Sequence, residues 1–397
     1  MKLTVVIVSY KVRFYLEQCI VSVERATSGL QREIVVVDNH SDDGTLEYLR
    51  ERFAHRITLI ESNHNLGFSR ANNIAIRQTK SEYVLLLNPD TIVGEDSIRQ
   101  VLDFMDSHPQ AGGAGVMMHN ADGTRARESR RGLPTPWVSL KKMMGKSDKY
   151  YMSYLPWDKP SKIEVMSGAF CMLRREVLDR VGLLDEEFFM YGEDIDLSYR
   201  IMKGGYENWY VPARIIHYKG ESTQKSSFRY VHVFYQAMLI FFRKHYGHLS
   251  LLVTLPIKMA IYLTALLAMV RMQYWRMRQS LGFVDKGGME LQYVFVGGDA
   301  MLDECRQLAQ RKGLTVIGYH STIAGVAPQP PKGGTATIVT VYDTDTFSFE
   351  QIITMAETIV GAGPMPVSPL GGQEALPAIG TYSTKSHILI TPNEIIM

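Results

Sequence analysis

The chain has 397 residues, of which 46% are hydrophobic and 21% charged, and its formal net charge is +2. This length allows a full hydrophobic core and two domains, and the nearly balanced charge argues against a nucleic-acid partner. The three cysteines are far apart and show no CxxC spacing, which argues against a zinc site or a disulfide framework and favours a reducing compartment. Met1-Lys2 leads directly into a strand-like run without the apolar length of a signal peptide, so we expect a cytoplasmic protein.

The first part of the chain alternates short apolar runs with amphipathic stretches. Residues 3–8, 33–37 and 83–87 are predicted strands, and this alternation is typical of a βαβαβ unit with a parallel sheet. In such sheets the ligand crevice lies at the carboxyl ends of the strands. Asp38 and Asp90 follow the second and third strands, so they predict a site for a polyanion or a divalent metal.

The first two strand ends carry groups that suit a nucleotide. Tyr10 could stack on a flat base while the Ser9 hydroxyl bonds a ribose or a pyrimidine edge, although a tyrosine taken alone is more often a half-buried packing residue. Asp38 opens a turn dense in Asx and glycine residues and could accept a hydrogen bond from a pyrimidine imino group. Ser41 or Asp42 in this turn is the expected cap of the next helix.

Two further segments suit a diphosphate. The loop 63–73 enters a helix with a buried-looking arginine, Arg70, whose position near a helix N-terminus is unfavourable unless an anion binds there. The third strand ends in Asn88-Pro89-Asp90, where the proline holds Asn88 extended and directs the Asp90 carboxylate outward. Asp90 is therefore a candidate ligand of Mg²⁺ or Mn²⁺.

The order of these segments resembles the family 2 glycosyltransferases, whose fold is the GT-A nucleotide-diphospho-sugar transferase fold, a mixed, mostly parallel sheet between helices. The closest likeness is to the bacterial rhamnosyltransferase-like branch, which writes Asn-Pro-Asp in place of Asp-x-Asp. The resemblance covers residues 1–240 and rests on the following motifs: Val8-Ser9-Tyr10, Val37-Asp38-Asn39, Asn65-Leu66-Gly67-Phe68, Asn88-Pro89-Asp90, Ser167-Gly168-Ala169-Phe170 and Gly192-Glu193-Asp194-Ile195-Asp196.

This resemblance implies an inverting transfer that needs a base at the acceptor hydroxyl. We expect Asp194 to be that base, in the first turn of a helix over 194–203, with Glu193 as its neighbour that positions the acceptor. Asp196 and Arg200 are spaced for an i,i+4 ion pair, which favours a structural role. The implied nucleotide-sugar contacts are Ser9, Tyr10, Asp38, Asn39, Arg70, Asn88 and Asp90.

The resemblance also implies a divalent cofactor, Mg²⁺ or Mn²⁺, to neutralise the leaving diphosphate. Its predicted protein ligands are Asp90 and His217, the histidine that closes a strand-like run. A lone histidine is more often structural, so the matching context carries this assignment. The arginine-rich stretch 125–131 is interpreted either as a solvated loop or as a guide for an anionic lipid diphosphate, and the sequence favours neither.

Residues 241–285 form a hydrophobic and basic segment that is expected to associate with a membrane. The apolar run 249–270 is long enough to cross a bilayer, but Lys258 and Pro256 interrupt it. We favour an interfacial or re-entrant helix pair bent at Pro256, with a single span or a buried helix as alternatives. The expected location is therefore cytoplasmic, attached peripherally to the inner face of the cytoplasmic membrane.

Residues 289–397 are predicted to form a Rossmann-like accessory domain. The run Val296-Gly297-Gly298-Asp299 lacks the GxGxxG spacing, so we expect that this domain does not bind a dinucleotide. It more weakly resembles the N-terminal accessory domain of polyprenyl-phosphate sugar-1-phosphate transferases, which suggests docking of a partner or regulation.

Three classes of function compete for this sequence. The first is a metal-dependent glycosyltransferase that moves a sugar such as rhamnose from a nucleotide-diphosphate donor to a lipid-linked or polysaccharide acceptor. The second is a non-catalytic scaffold that recruits glycan-assembly partners through its C-terminal domain. A homo-oligomer is a further partner that the sequence leaves open. The third is an NAD-dependent oxidoreductase that uses the tail. The first is favoured because a scaffold has no need of Asp38, Asp90, Glu193, Asp194 and His217 together.

Overall fold

The computed structural model of the chain describes residues 1–219, 228–247, 291–322, 337–360, 378–392 and 394–397, together with single helical residues between 255 and 278. The first sheet draws on residues 3–217. Its strands are β1 Leu3–Ser9, β2 Arg32–Asp38, β3 Thr58–Glu61, β4 Tyr83–Leu87, β5 Thr91–Val93, β6 Ala111–His119, β7 Ser161–Ile163, β8 Phe170–Arg174 and β9 Glu207–His217.

Helices cover both faces of this sheet, and a long helix follows its last strand. They are α1 Arg13–Ala26, α2 Thr45–Phe53, α3 Phe68–Gln78, α4 Ser97–Ser107, α5 Pro136–Met143, α6 Asp148–Tyr151, α7 Arg175–Val181, α8 Glu193–Lys203 and α9 Phe228–Tyr246. The predicted strands over 3–8, 33–37 and 83–87 and the predicted helix over 194–203 are confirmed, the last as α8.

Every residue of β1 and of β4 is buried, because both faces of the sheet are covered. Alternate side chains divide between two cores, with Val5, Ile7 and Leu85 in one and Val6, Val8 and Leu86 in the other. Strands buried on both faces read as continuous apolar runs, which explains why the sequence pattern predicted them.

The order of the strands is β3-β2-β1-β4-β8-β6-β9-β5, with β7 paired to β9. β1 is parallel to both β2 and β4, β8 is antiparallel to its neighbours β4 and β6, and β6 is parallel to β9. The carboxyl ends of β1, β2, β4 and β9 therefore meet at one edge of the sheet, where β8 begins. Asp38, Asn88, Gly168 and His217 all lie at that edge, where a mostly parallel sheet binds its ligands.

A second, smaller α/β domain follows, which we call the C-terminal domain (residues 291–397). Its sheet has the order β11-β10-β12-β13-β14-β15, with the first four strands parallel and the last two added antiparallel. Its elements are β10 Leu291–Val296, α10 Asp299–Lys312, β11 Thr315–His320, β12 Thr337–Asp343, α11 Phe349–Val360, β13 Ala378–Ser383, β14 Ile388–Thr391 and β15 Glu394–Ile396. A mixed, mostly parallel sheet between helices followed by a small α/β domain is the predicted architecture.

The C-terminal domain packs directly on the first domain. One buried apolar cluster combines Tyr15, Ile92 and Ile216 of the first domain with Phe349 and Ile353 of α11. The backbone N–H groups of Phe349 and Glu350, at the start of α11, donate to the carboxylate of Glu95. The two domains therefore share a hydrophobic core.

Glu357 of α11 is the main polar contact at this interface. Its Oε1 accepts from Nε2 of the buried His119 at 2.8 Å, and its Oε2 accepts from Arg214 at 2.8 Å. Burial alone would raise the pKa of Glu357, but the hydrogen bonds and charges of His119 and Arg214 outweigh burial and lower it to about 2. Because the folded-state pKa lies below the ordinary value of 4.5, the carboxylate stabilises the fold above pH 4.5, and this stabilisation is lost as the pH falls towards 2.

We expect Glu357→Gln to lower the free energy of unfolding by about 1–3 kcal/mol at pH 7, because Arg214 and His119 lose a buried anionic partner. Urea unfolding at several pH values measures this, and the difference from the parent chain should shrink below pH 4.5. Asp303→Asn is the matched control, since Asp303 pairs with Arg306 on an exposed surface. A Glu357 variant as stable as this control would show that the contacts of Glu357 with His119 and Arg214 do not stabilise the fold.

The hydrophobic segment is only partly described. Among the described residues, none of the helices has both the length and the apolar character needed to span a bilayer. The described positions in this segment are helical, and their large apolar side chains are exposed: Leu255, Met259, Tyr262, Leu263, Leu266, Leu267, Val270, Tyr274 and Met277. We call this set the exposed stripe. The predicted bend at Pro256 and the interruption at Lys258 lie outside the described residues.

Candidate active site

The ends of β1 and β2 form a buried polar corner. Ser9 and Asp38 are opposite each other in the sheet and both are fully buried. Asp38 Oδ2 accepts from the Ser41 N–H at 2.9 Å, while Asp38 Oδ1 and Ser9 Oγ have no hydrogen-bond partner within the described part of the chain. Buried polar atoms without partners are costly, so this corner is suited to a ligand that supplies donors. Tyr10, beside it, is half-buried.

Asn39 connects this corner to the loop before α3. Its Oδ1 accepts from the Leu66 N–H at 2.8 Å, and its Nδ2 donates to Asn65 Oδ1 at 3.0 Å. Gly67 in this loop has φ +79°, and a Cβ at this position would lie 2.4 Å from the carbonyl oxygen of Phe189, so only glycine fits. Asn39 thus already uses both ends of its amide to hold the loop, and its predicted contact with the nucleotide stays a prediction.

Arg70 is not buried, contrary to the expectation from the sequence. Its side chain is 57% exposed, and its Nε lies 3.6 Å from Glu186 Oε2. The expectation failed because α3 buries its opposite face, which carries Ala71 and Ala75. An exposed arginine at the first turn of α3 is still free to swing towards an anion.

Asp90, Asn88 and His217 form a compact group where β4, β5 and β9 meet. Thr91 pairs with His217 across β5 and β9, which places His217 Nε2 3.3 Å from Asp90 Oδ1 and 3.2 Å from Asn88 Nδ2. Asp90 is 2% exposed, and the buried Nδ1 of His217 has no hydrogen-bond partner among the residues that the structure describes. The two predicted metal ligands are thus neighbours.

A buried carboxylate oxygen next to an imidazole nitrogen is a donor set that fits Mn²⁺. It fits Mg²⁺ less well, because Mg²⁺ prefers oxygen ligands. The described residues contain no group of three or more histidine, cysteine, aspartate or glutamate side chains that could hold a metal by themselves. A cation at Asp90 and His217 would therefore need further oxygens from a ligand, which suits a site that binds metal together with a diphosphate.

Asp194, at the start of α8, is held on several sides. Arg131 forms an ion pair with its Oδ2, the Gly168 N–H donates to the same oxygen at 3.2 Å, and the Ile195 N–H donates to Oδ1 at 2.8 Å. The side chain of Asp194 is 15% exposed and that of Arg131 is 12% exposed. Burial lowers the pKa of Arg131, but the Asp194 carboxylate outweighs burial and raises it, so Arg131 stays charged.

Glu193 lies beside Asp194 in a different environment. It is 6% exposed, and its Oε2 has no hydrogen-bond partner within the described ranges. Burial, followed by the negative charge of Asp194, raises its pKa to about 8. Near neutral pH, therefore, Glu193 is mainly a neutral acid, whose O–H can donate a hydrogen bond.

Arg131 is the site residue that the sequence did not single out. The stretch 125–131 was interpreted as a solvated loop or a lipid guide, but Arg131 binds Asp194, and Arg130 is 3% exposed and stacks on Trp157. The available signal was the apolar run Gly132-Leu133-Pro134 directly after it, which is unusual for a solvated basic loop. Asp196 and Arg200 form the predicted i,i+4 pair at 2.8 Å.

These groups are linked through short contacts at one edge of the sheet. The Asn88 N–H donates to the Ala169 carbonyl at 3.0 Å, and Gly168, one residue earlier, donates to Asp194. The metal-ligand pair and the Asp194 carboxylate are thus joined through the short segment 168–169, and the Ser9–Asp38 corner lies two strands away at the same edge. Groups arranged in this way can bind a nucleotide at one end and take a proton at the other.

Comparison with known proteins finds a family match over more than half of the chain. Residues 2–232 match the family described as Glycosyltransferase like family 2. An N-acetylglucosaminyl-diphospho-decaprenol L-rhamnosyltransferase of Mycobacterium tuberculosis is 29% identical over 261 residues, which are 60% of this chain and 83% of the relative. Rhamnosyltransferase WbbL of Escherichia coli is 27% identical over 42% of this chain and 70% of its own length.

Solved structures with a similar course of the chain include a mannosyltransferase from Pyrobaculum calidifontis in complex with GDP-Man and Mn²⁺. It is 17% identical with a TM-score of 0.44, over 79% of this chain and 81% of that one. GalNAc-T7 with UDP, GalNAc and Mn²⁺ is 18% identical with a TM-score of 0.43, over 59% of this chain and 47% of that one.

Proposed function

Because the chain belongs to glycosyltransferase family 2, we propose that it is an inverting, metal-dependent enzyme that transfers rhamnose from a nucleotide-diphosphate donor to a lipid-linked glycan. That it is a glycosyltransferase follows from the family. The observation that supports the finer proposal is the meeting, at one sheet edge, of the Ser9–Asp38 corner, the Asp90–His217 pair and the Glu193–Asp194 pair. The first group would bind the nucleotide, the second the diphosphate with its metal, and the third the acceptor hydroxyl.

The nucleotide end is assigned to Ser9, Tyr10 and Asp38. The buried Asp38 Oδ1 and Ser9 Oγ would gain the partners they lack from an imino N–H of the base and from the ribose. Tyr10 lies at the mouth of this corner and can stack on the base. Arg70, which is exposed at the start of α3, would fold over the diphosphate once the donor is bound.

The diphosphate end is assigned to Asn88, Asp90 and His217, of which Asp90 and His217 would hold Mg²⁺ or Mn²⁺. When bound, the cation supplies a positive charge that stabilises the leaving diphosphate. Asn88 Nδ2 lies within hydrogen-bond distance of His217 Nε2, and a cation on that nitrogen would take the place of this hydrogen bond. His217 is fixed further by the pairing of β5 with β9, which leaves little freedom to relax around the cation.

At the acceptor end, Asp194 would accept the proton of the attacking hydroxyl. Arg131, Gly168 and Ile195 hold its carboxylate in one orientation, which fixes the direction of attack. Glu193, neutral near pH 7 because of its raised pKa, can donate a hydrogen bond to a second acceptor oxygen. The anomeric carbon would then be attacked from the face opposite the leaving diphosphate.

The acceptor is proposed to be lipid-linked, and the enzyme to work at the inner face of the cytoplasmic membrane. The Mycobacterium tuberculosis relative is named for a diphospho-decaprenol acceptor. In this chain, the exposed stripe presents large apolar side chains that are 52% to 63% exposed, which would be costly in water. A peripheral contact with lipid through these side chains would cover them.

A donor screen tests the proposal. The purified full chain is incubated with dTDP-rhamnose, UDP-N-acetylglucosamine, GDP-mannose and UDP-glucose, each with a short-chain diphosphate-linked N-acetylglucosamine acceptor and Mn²⁺ or Mg²⁺. We expect release of nucleoside diphosphate and a product of inverted anomeric configuration with dTDP-rhamnose, and none after chelation of the metal. Transfer that survives chelation would refute the metal dependence, and a retained configuration would refute inversion.

A further inference from the structure

Helix α5 carries a ridge of exposed apolar and basic side chains that the catalytic proposal leaves unused. Trp137, Leu140 and Met144 are 62%, 45% and 68% exposed. The same segment contains three lysines, Lys141, Lys142 and Lys146, of which Lys141 lies beside Trp137 and Lys142 lies over the ring of Tyr150. We call these six residues the α5 ridge. Monomeric proteins rarely group such large apolar side chains at the surface without a partner.

The ridge is built on a well-formed helix. Thr135 caps α5 by accepting from the Val138 N–H, and Pro136 occupies its first turn. Trp137, Leu140 and Met144 follow one another at helical spacing, so they lie along one side. Lys141 Nζ lies 5.2 Å from the centre of the Trp137 ring, which keeps the cation beside the apolar residues.

The charge on the ridge itself is positive, and the nearest acid along the chain is Asp148 at the start of α6. Between residues 129 and 147 the sequence contains arginine and lysine but no aspartate or glutamate. We propose that the α5 ridge rests on a bilayer with anionic headgroups. Its aromatic and aliphatic side chains would enter the headgroup boundary, and its lysines would reach the lipid phosphates. This inference rests on the proposed function, because it concerns how that enzyme meets a lipid-linked acceptor.

The position of α5 supports this orientation. Leu133, three residues before the helix, is buried in one cluster with Ala237, Ile240 and Phe241 of α9. Ile195 and Tyr199 of α8 pack against the same cluster. The segment that leads into the ridge and the helix that carries Asp194 therefore pack on one buried cluster. A bilayer on that face would present a lipid-linked acceptor on the side of the base.

Tryptophan fluorescence tests the contact directly. The chain has four tryptophans, and Trp275→Phe removes the one in the hydrophobic segment. In this variant we expect vesicles of phosphatidylglycerol and phosphatidylcholine with brominated acyl chains to quench Trp137. Most of the quenching should disappear in the double variant Trp137→Phe/Trp275→Phe. Equal quenching in the two variants would overturn the proposal.

Charge variants give a second readout. Replacing Lys141, Lys142 and Lys146 by glutamine should weaken partition onto anionic vesicles by about fivefold per lysine, and the effect should vanish at high salt. Lys312→Gln on the C-terminal domain is the matched control for charge, and Ile317→Ala, 52% exposed on β11, is the control for Trp137→Ala. Ridge variants that partition no worse than these controls would overturn the proposal.

The outcomes separate this inference from the proposed function. A chain that binds vesicles without quenching of Trp137 would refute the ridge and leave membrane attachment intact. Transfer to a water-soluble acceptor should be unchanged in Trp137→Ala and in the lysine variants, because none of these residues lies in the catalytic cleft. If the parent chain itself fails to transfer sugar to that acceptor, the proposed function fails whatever the ridge does.

Discussion

Replacing Asp194 with asparagine should reduce sugar transfer by about two orders of magnitude or more, the usual scale for loss of a general base. Asparagine keeps the shape of the side chain, and its amide oxygen can still accept from the Gly168 or Ile195 N–H group. The donor should therefore bind with unchanged affinity. Single-turnover transfer and titration with nucleoside diphosphate measure the two quantities separately.

Glu193 is the competing base, and its raised pKa makes the two assignments distinguishable. A base must be deprotonated to act, so a reaction that depends on Glu193 would accelerate tenfold per pH unit up to about pH 8 and then level off. With Asp194 as the base, the rate should not follow the titration of Glu193. Glu193→Gln should then keep transfer within about tenfold of the parent rate, because glutamine can still donate a hydrogen bond.

The loss in Asp194→Asn must also be separated from misfolding. The variant leaves the buried Arg131 cation without its partner, which costs stability. The double variant Asp194→Asn/Arg131→Met removes both charges and should recover stability but not transfer. If transfer returns in the double variant, Asp194 serves only to neutralise Arg131, and the base lies elsewhere.

The strands of the first sheet could be predicted from the sequence because the central ones are buried on both faces. β1 and β4 are continuous apolar runs, and the polar residues that end such runs lie at the sheet edge where ligands bind. The family assignment, made from short motifs at these ends, is confirmed by the match over residues 2–232. Local chemistry at strand ends was sufficient because each motif is short and follows its own strand.

Other features depend on contacts between distant segments, which periodicity does not encode. Arg131 meets Asp194 across 63 positions of the chain, and nothing near either residue specifies the other. Glu357 contacts His119 across 238 positions of the chain. The sequence therefore did not indicate that the C-terminal domain shares a core with the first domain. The domain limits 1–240, 241–285 and 289–397 stay a prediction. Helix α9, Phe228–Tyr246, crosses the predicted boundary between residues 240 and 241.

The assignment of the metal predicts a second large effect. Asp90→Asn should lower the metal-supported rate by about 10²–10³-fold, because a neutral amide binds a divalent cation far less well than a carboxylate. His217→Gln should have a smaller effect, since Asp90 remains and the amide can keep a hydrogen bond to Asn88. Both variants should need more Mn²⁺ for half-maximal transfer.

Binding of Mn²⁺ itself distinguishes a lost ligand from a general defect. The electron paramagnetic resonance signal of free Mn²⁺ should fall when the parent chain is added with dTDP, and this fall should be absent with Asp90→Asn. Asp106→Asn is the matched control, because Asp106 is a surface residue that bonds Lys2 and Tyr83. If Asp90→Asn binds Mn²⁺ as well as this control does, then Asp90 acts on the donor directly. His217, held against Asp90 at 3.3 Å, would then serve to orient that carboxylate.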